Sequence, residues 1–86
     1  MLHAATIGPV TTVAILNGPA CDVNVVEDRF GAFYLQYEFS RARNEWRFVS
    51  ARSYDDCAHP ASYGTKSAAR RAAKRVLARN NPTGAQ

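Results

Sequence analysis

Apolar and polar residues alternate most cleanly in "FYLQYEFS", residues 33–40. Phe33, Leu35, Tyr37 and Phe39 fall on one side; Tyr34, Gln36, Glu38 and Ser40 fall on the other. A period of two with one apolar face is the mark of a half-buried strand. "EWRFVSAR" follows after the short turn "SRARN". So short a connection cannot cross over, so the two segments are expected to pair as an antiparallel hairpin. On this reading Trp46 and Phe48 join the inner apolar face, whereas Arg47 and Val49 look outward. Upstream, "TTVAIL" and "CDVNVV" are rich in β-branched residues and flank Asn17-Gly18-Pro19, which is turn chemistry. "EDRFGA" turns the chain into the third strand, so the expected order is four short strands in a meander.

The period changes after "SYDDCAHPASYG", a loop by its Pro, Gly, Asp and Ser content. Thr65 fits an N-cap, and a helix is expected from Lys66 to Arg79, ended by Asn80-Asn81-Pro82. At about 100° per residue, Ala68, Ala69, Ala72, Ala73, Val76 and Leu77 share one half of that helix. Arg70, Arg71, Lys74 and Arg75 occupy the other half. An alanine face lets the helix approach a sheet closely, with Phe33, Tyr37, Phe39, Trp46 and Phe48 filling the space from the sheet side. The expected fold is α+β: a three- to four-stranded antiparallel sheet with one C-terminal helix packed on one face. Residues 1–10 read as an N-terminal arm, 11–79 as a single domain and 80–86 as a flexible tail.

Composition adds few constraints. A chain of 86 residues, 47% of them hydrophobic, argues against disorder throughout but allows only a thin core. The charge is more informative. The net formal charge is +4, and it is segregated. Residues 1–65 carry five arginines against seven acids, a balance of −2; from Lys66 onward there are six basic residues and no acid, a balance of +6. Such asymmetry points to an acidic partner, nucleic acid above all. Arginine outnumbers lysine nine to two and there are fifteen alanines, a bias that GC-rich genomes of phage or actinobacterial type also produce.

No stretch reaches the roughly 18–20 apolar residues that cross a bilayer. The opening "MLHAATIGPVTTVAIL" lacks a basic n-region and does not read as an export signal. Cytoplasmic placement follows as an expectation, with Cys21 and Cys57 as reduced thiols; pairing between them stays open.

"TKSAARRAAKRVL", Thr65 to Leu77, resembles the final helix of double-stranded-RNA-binding domains. There a hydroxyl residue and lysine open the helix, followed by alanine with a basic residue and an Ala-Ala pair. Thr65-Lys66, Ala69-Arg70 and Ala72-Ala73 match that order, and three strands precede the helix in both. The resemblance implies Lys66 and Arg70 as phosphate contacts, with Ser67 beside them. Integrase arm-binding domains and plant ethylene-response-type DNA-binding domains are similar in topology alone. They lay the sheet in the DNA groove, which would bring Tyr34, Gln36, Arg47, Arg52, Arg41 and Arg43 to the ligand.

Other chemistry is thin. Asp55, Asp56, Cys57 and His59 could ligate a metal, but structural zinc takes paired Cys/His spacings. The glycines are too scattered to cradle a phosphate, and no spacing marks a catalytic dyad. Neither enzyme activity nor a cofactor is expected. The sequence points to a small non-catalytic nucleic-acid-binding module. Lys66, Arg70, Arg71, Lys74 and Arg75 would contact phosphates of DNA or RNA, with Arg41, Arg43 and Arg47 as a second set. The alternative is a protein-interaction module. It would be a phage-type modulator docking on an acidic host surface, or a homodimeric accessory protein that pairs an exposed strand edge.

Overall fold

The computed structural model describes residues 8–50 and 60–81. Five strands are followed by one helix: β1 (Val10–Leu16), β2 (Val23–Asp28), β3 (Phe33–Ser40), β4 (Glu45–Phe48), β5 (Ser62–Tyr63) and α1 (Lys66–Asn80). The sheet is antiparallel, with order β1-β2-β3-β4, and the short β5 pairs with Phe33 and Tyr34 of β3. This is the expected α+β arrangement. β5 is the addition, formed within the segment that reads as loop.

The helix packs on one face of the sheet. Val23, Val25 and Leu35 are fully buried there against Ala69, Ala72, Ala73 and Val76. The alanines suit this contact: a methyl group lets the helix backbone approach the valines of β2 closely. β1 reaches the same core through a bulge. Thr12 lies opposite Val26 and Ala14 opposite Val25, so Val13 is the extra residue. That bulge turns Ala14 and Leu16 toward the helix.

The β3–β4 hairpin departs from expectation. Glu38 pairs with Trp46 and Gln36 with Phe48, whereas Ser40 pairs with Glu45, so Phe39 sits in a bulge. Residues directly opposite share a face. Trp46 and Phe48 therefore lie on the face away from the helix, and Arg47, opposite Tyr37, lies on the helix side. Val49 is packed against the core. The alternation within each strand is as expected; the phase between them is not, because one bulged residue exchanges the faces.

Both helix ends are tied. At the start, Thr65 is extended (φ −135°) and its Oγ1 accepts from the Ala68 N–H at 3.1 Å. At the end, Asn80 completes the helix and Asn81 is buried at 7% exposure, so neither belongs to a tail. The Asn81 side chain reaches the β1–β2 turn. Its Oδ1 accepts from the N–H groups of Ala20 (2.7 Å) and Cys21 (2.9 Å). Its Nδ2 donates to the carbonyls of Cys21 (2.8 Å) and Leu77 (2.9 Å). Gly18 makes room for it: a Cβ there would lie 2.5 Å from Asn81 Nδ2 and 2.6 Å from the Cys21 carbonyl oxygen.

Replacing Asn81 by Ala removes these four hydrogen bonds and strands buried backbone groups of the turn. The expected loss is about 2–4 kcal/mol, or roughly 10–25 °C in Tm for a domain of this size. Asn80→Ala is the control; its exposed side chain makes one bond, to the Val76 carbonyl, and its loss should stay within about 1 kcal/mol. Thermal melting followed by circular dichroism checks both, and equal Tm values for the two variants would contradict this role for Asn81.

Candidate nucleic-acid interface

With its alanines against the sheet, α1 turns two rows of polar side chains to solvent. Lys66, Arg70 and Lys74 form one row; Ser67, Arg71, Arg75 and Arg79 form the other. Successive members are four residues apart, about 6 Å along the helix axis. All are exposed. Lys66, Ser67, Arg70, Arg71 and Lys74 surround a shallow, open depression.

Among the described residues nothing compensates the charge on this face. The helix has no acidic residue, in its first turn or elsewhere. Among the described residues, Lys66, Arg70, Arg71, Lys74 and Arg75 form no ion pair; the one contact is Arg71 Nη1 donating to Ser67 Oγ at 3.4 Å. Like charges stand at (i, i+4) in Lys66/Arg70, Arg70/Lys74, Arg71/Arg75 and Arg75/Arg79. Each such pair destabilises an isolated helix by about 0.2–0.5 kcal/mol.

The arginines of the β3–β4 hairpin are differently placed. Arg41 is held on several sides. It bridges Glu38 Oε1 (2.8 Å) and Asp22 Oδ1 (3.2 Å) and donates to the carbonyls of Pro19 (3.0 Å) and Gly18 (3.3 Å). Asp22 and Glu38 reinforce each other. The Asp22 N–H donates to Glu38 Oε1 at 3.0 Å, and Asp22 Oδ1 accepts from the Gly18 N–H at 3.0 Å. Arg43 and Arg47 both face Glu45, at 3.8 and 3.6 Å. The Arg47 guanidinium also lies over the Phe39 ring, its central carbon 3.4 Å from the ring centre. All three hairpin arginines thus have carboxylate partners.

The sheet face away from the helix does not gather the residues that a sheet-led contact would need. Tyr34 and Gln36 are there, and Tyr34 packs edge-on against Phe48. Glu38 is there too, and Arg47 is on the opposite face. Arg52 lies outside the described residues, as do Asp55, Asp56, Cys57 and His59. Among the described residues no cluster of His, Cys, Asp or Glu could hold a metal. Cys21 is a buried free thiol. No described helix is long and apolar enough to cross a membrane.

One exposed feature has only a weak signal in the sequence. Phe30 is 80% exposed at the tip of the β2–β3 hairpin, with the Arg29 guanidinium 5.2 Å from its ring centre. In "EDRFGA" the glycine marks the turn, but nothing local says that the phenylalanine is left outside.

The chain matches no protein-family model, no curated protein and no solved structure.

The Arg41 cluster sets a pH dependence. The hydrogen bond from Arg41 holds the Glu38 carboxyl below its ordinary 4.5, helped by the Asp22 N–H. Backbone N–H groups, that of Ala32 first, hold Asp28 below 3.8. Folded-state values below the unfolded ones mean that the unfolded chain takes up protons first on acidification. This stability is full above the unfolded values and is lost as pH falls through the folded ones. Tm should therefore drop as pH is lowered below about 4.5. Glu38→Gln should melt lower than wild type at neutral pH and show a shallower acid dependence. An acid slope identical to wild type would contradict this assignment to Glu38.

Proposed function

We propose that this chain is a small non-catalytic nucleic-acid-binding module that grips phosphates with the outer face of α1. The observation that carries the reading is the contrast in charge compensation. Arg41, Arg43 and Arg47 face carboxylates of their own chain, whereas Lys66, Arg70, Arg71, Lys74 and Arg75 face solvent with no carboxylate partner among the described residues. A run of like charges at helical spacing opposes the fold. A polyanion lying along it removes the repulsion and releases its own condensed counterions.

The first five cations are the primary contacts. Arg41, Arg43 and Arg47 are secondary, since each would exchange an existing carboxylate for a phosphate. The resemblance of Thr65–Leu77 to the last helix of double-stranded-RNA-binding domains fits the same face, with Lys66, Ser67 and Arg70 at its start. Contacts of this kind position a nucleic acid without reading its sequence. A cytoplasmic site of action agrees with a nucleic-acid partner.

Fluorescence anisotropy with labelled duplex DNA, duplex RNA and single-stranded RNA tests the reading. With about five phosphates neutralised, affinity should fall roughly 10²–10³-fold between about 50 and 200 mM salt. Reversing Arg70, Arg71 and Lys74 together to Glu should abolish binding at the lower salt. Unchanged affinity in that variant would overturn the proposal. Absence of binding by wild type, with an acidic protein retained from nuclease-treated lysate, would replace it by the protein-interaction reading.

A further inference from the structure

Resting on the nucleic-acid reading above, we infer that the Arg29-Phe30 tip of the β2–β3 hairpin is a second contact on the same ligand. In it Phe30 stacks on an unpaired base and Arg29 meets the adjoining phosphate. The turn is built without the ring. Asp28 Oδ1 accepts from the N–H groups of Phe30 (2.8 Å) and Ala32 (2.9 Å), and the Asp28 N–H donates to the Ala32 carbonyl at 2.9 Å. Gly31 supplies the positive φ (+84°), and the Tyr34 hydroxyl donates to Asp28 Oδ2 at 3.4 Å. A polar residue at position 30 would suit this geometry as well, because only the backbone N–H of Phe30 is used. The ring itself is 80% exposed, so folding gains little from it. Another exposed aromatic, Phe39, is 47% exposed with Arg47 over its ring at 3.4 Å, whereas the Arg29 guanidinium over Phe30 stands off at 5.2 Å and leaves that residue 80% exposed.

Position supplies the second argument. Phe33, just after the tip, pairs with Tyr63 of β5, and α1 starts three residues later at Lys66. The tip and the start of the basic helix are thus at the same end of the sheet. An aromatic face beside cations suits a strand whose bases are free to stack. Bases in a duplex are already stacked on one another, so the ring adds affinity only for unpaired ones.

The test compares three labelled probes: a single-stranded oligonucleotide, a fully abasic strand of equal length and a duplex. Phe30→Ala should weaken binding to the single strand roughly 5- to 100-fold and leave the abasic strand and the duplex unaffected. Phe30→Trp should restore the single-strand affinity. A 2-aminopurine in the strand should be quenched by wild type and not by Phe30→Ala. Because Phe30 is exposed, Phe30→Ala should keep the wild-type Tm. If Phe30→Ala binds the single strand as wild type does while the Arg70/Arg71/Lys74 reversal loses it, the grip stands and the tip inference is overturned. If wild type binds none of the probes, both fall. Phe30-dependent binding to phosphatidylserine vesicles without Phe30-dependent strand binding would overturn the base-stacking role.

Discussion

The buried side chain of Asn81 joins the two halves of this small domain. An amide can accept twice through its oxygen and donate twice through its nitrogen. Asn81 does all four, to Ala20, Cys21 and Leu77. It connects the end of α1 to a turn 60 residues earlier, at Cys21. The need for such a tie follows from the helix itself. Fifteen residues bearing like charges and no acid would be marginal in isolation. Its apolar face is mostly alanine, which packs closely but buries little area per residue. The Thr65 cap and the Asn81 link hold the ends, and the valines of β2 with Leu35 hold the middle.

That anchoring decides what the surface offers. With the alanines fixed on the sheet, both rows of cations face outward together. Four acids of the described residues are used elsewhere. Asp22 and Glu38 close around Arg41 and so brace the turn that Asn81 grips, Glu45 meets Arg43 and Arg47, and Asp28 ties the β2–β3 hairpin. A nearly balanced sheet thus carries a strongly basic helix. The proposed grip on a phosphate backbone uses this division, and the Arg29-Phe30 tip extends it at the end where the helix begins.

Much of the architecture was legible in the sequence because it rests on local period. The alternation of "FYLQYEFS", the Asn-Gly-Pro turn, the Thr65 cap and the alanine face of the helix each act within a few residues. What was not legible depends on single-residue irregularities or long-range partners. One bulged residue, Phe39, moved Trp46 and Phe48 to the far face and Arg47 to the near one. β5 owes its pairing to β3 rather than to its own two residues. Asn81 reads as part of a helix stop, and only the turn 60 residues away makes it a buried link. The candidate site divides in the same way. Exposure of Lys66, Arg70, Arg71, Lys74 and Arg75 follows from helical spacing. The engagement of Arg41 by Asp22, 19 residues away, does not.

The most direct measurement is backbone amide shift mapping by two-dimensional NMR, with a short oligonucleotide added at low salt. If the helix is the phosphate-binding face and the tip its second contact, the largest shifts fall between Lys66 and Arg75 and at Arg29-Phe30, while those of the 41–47 hairpin and of Tyr34, Gln36 and Phe48 stay small. Large shifts across that sheet face with a silent helix, or no shifts at all, would contradict the account.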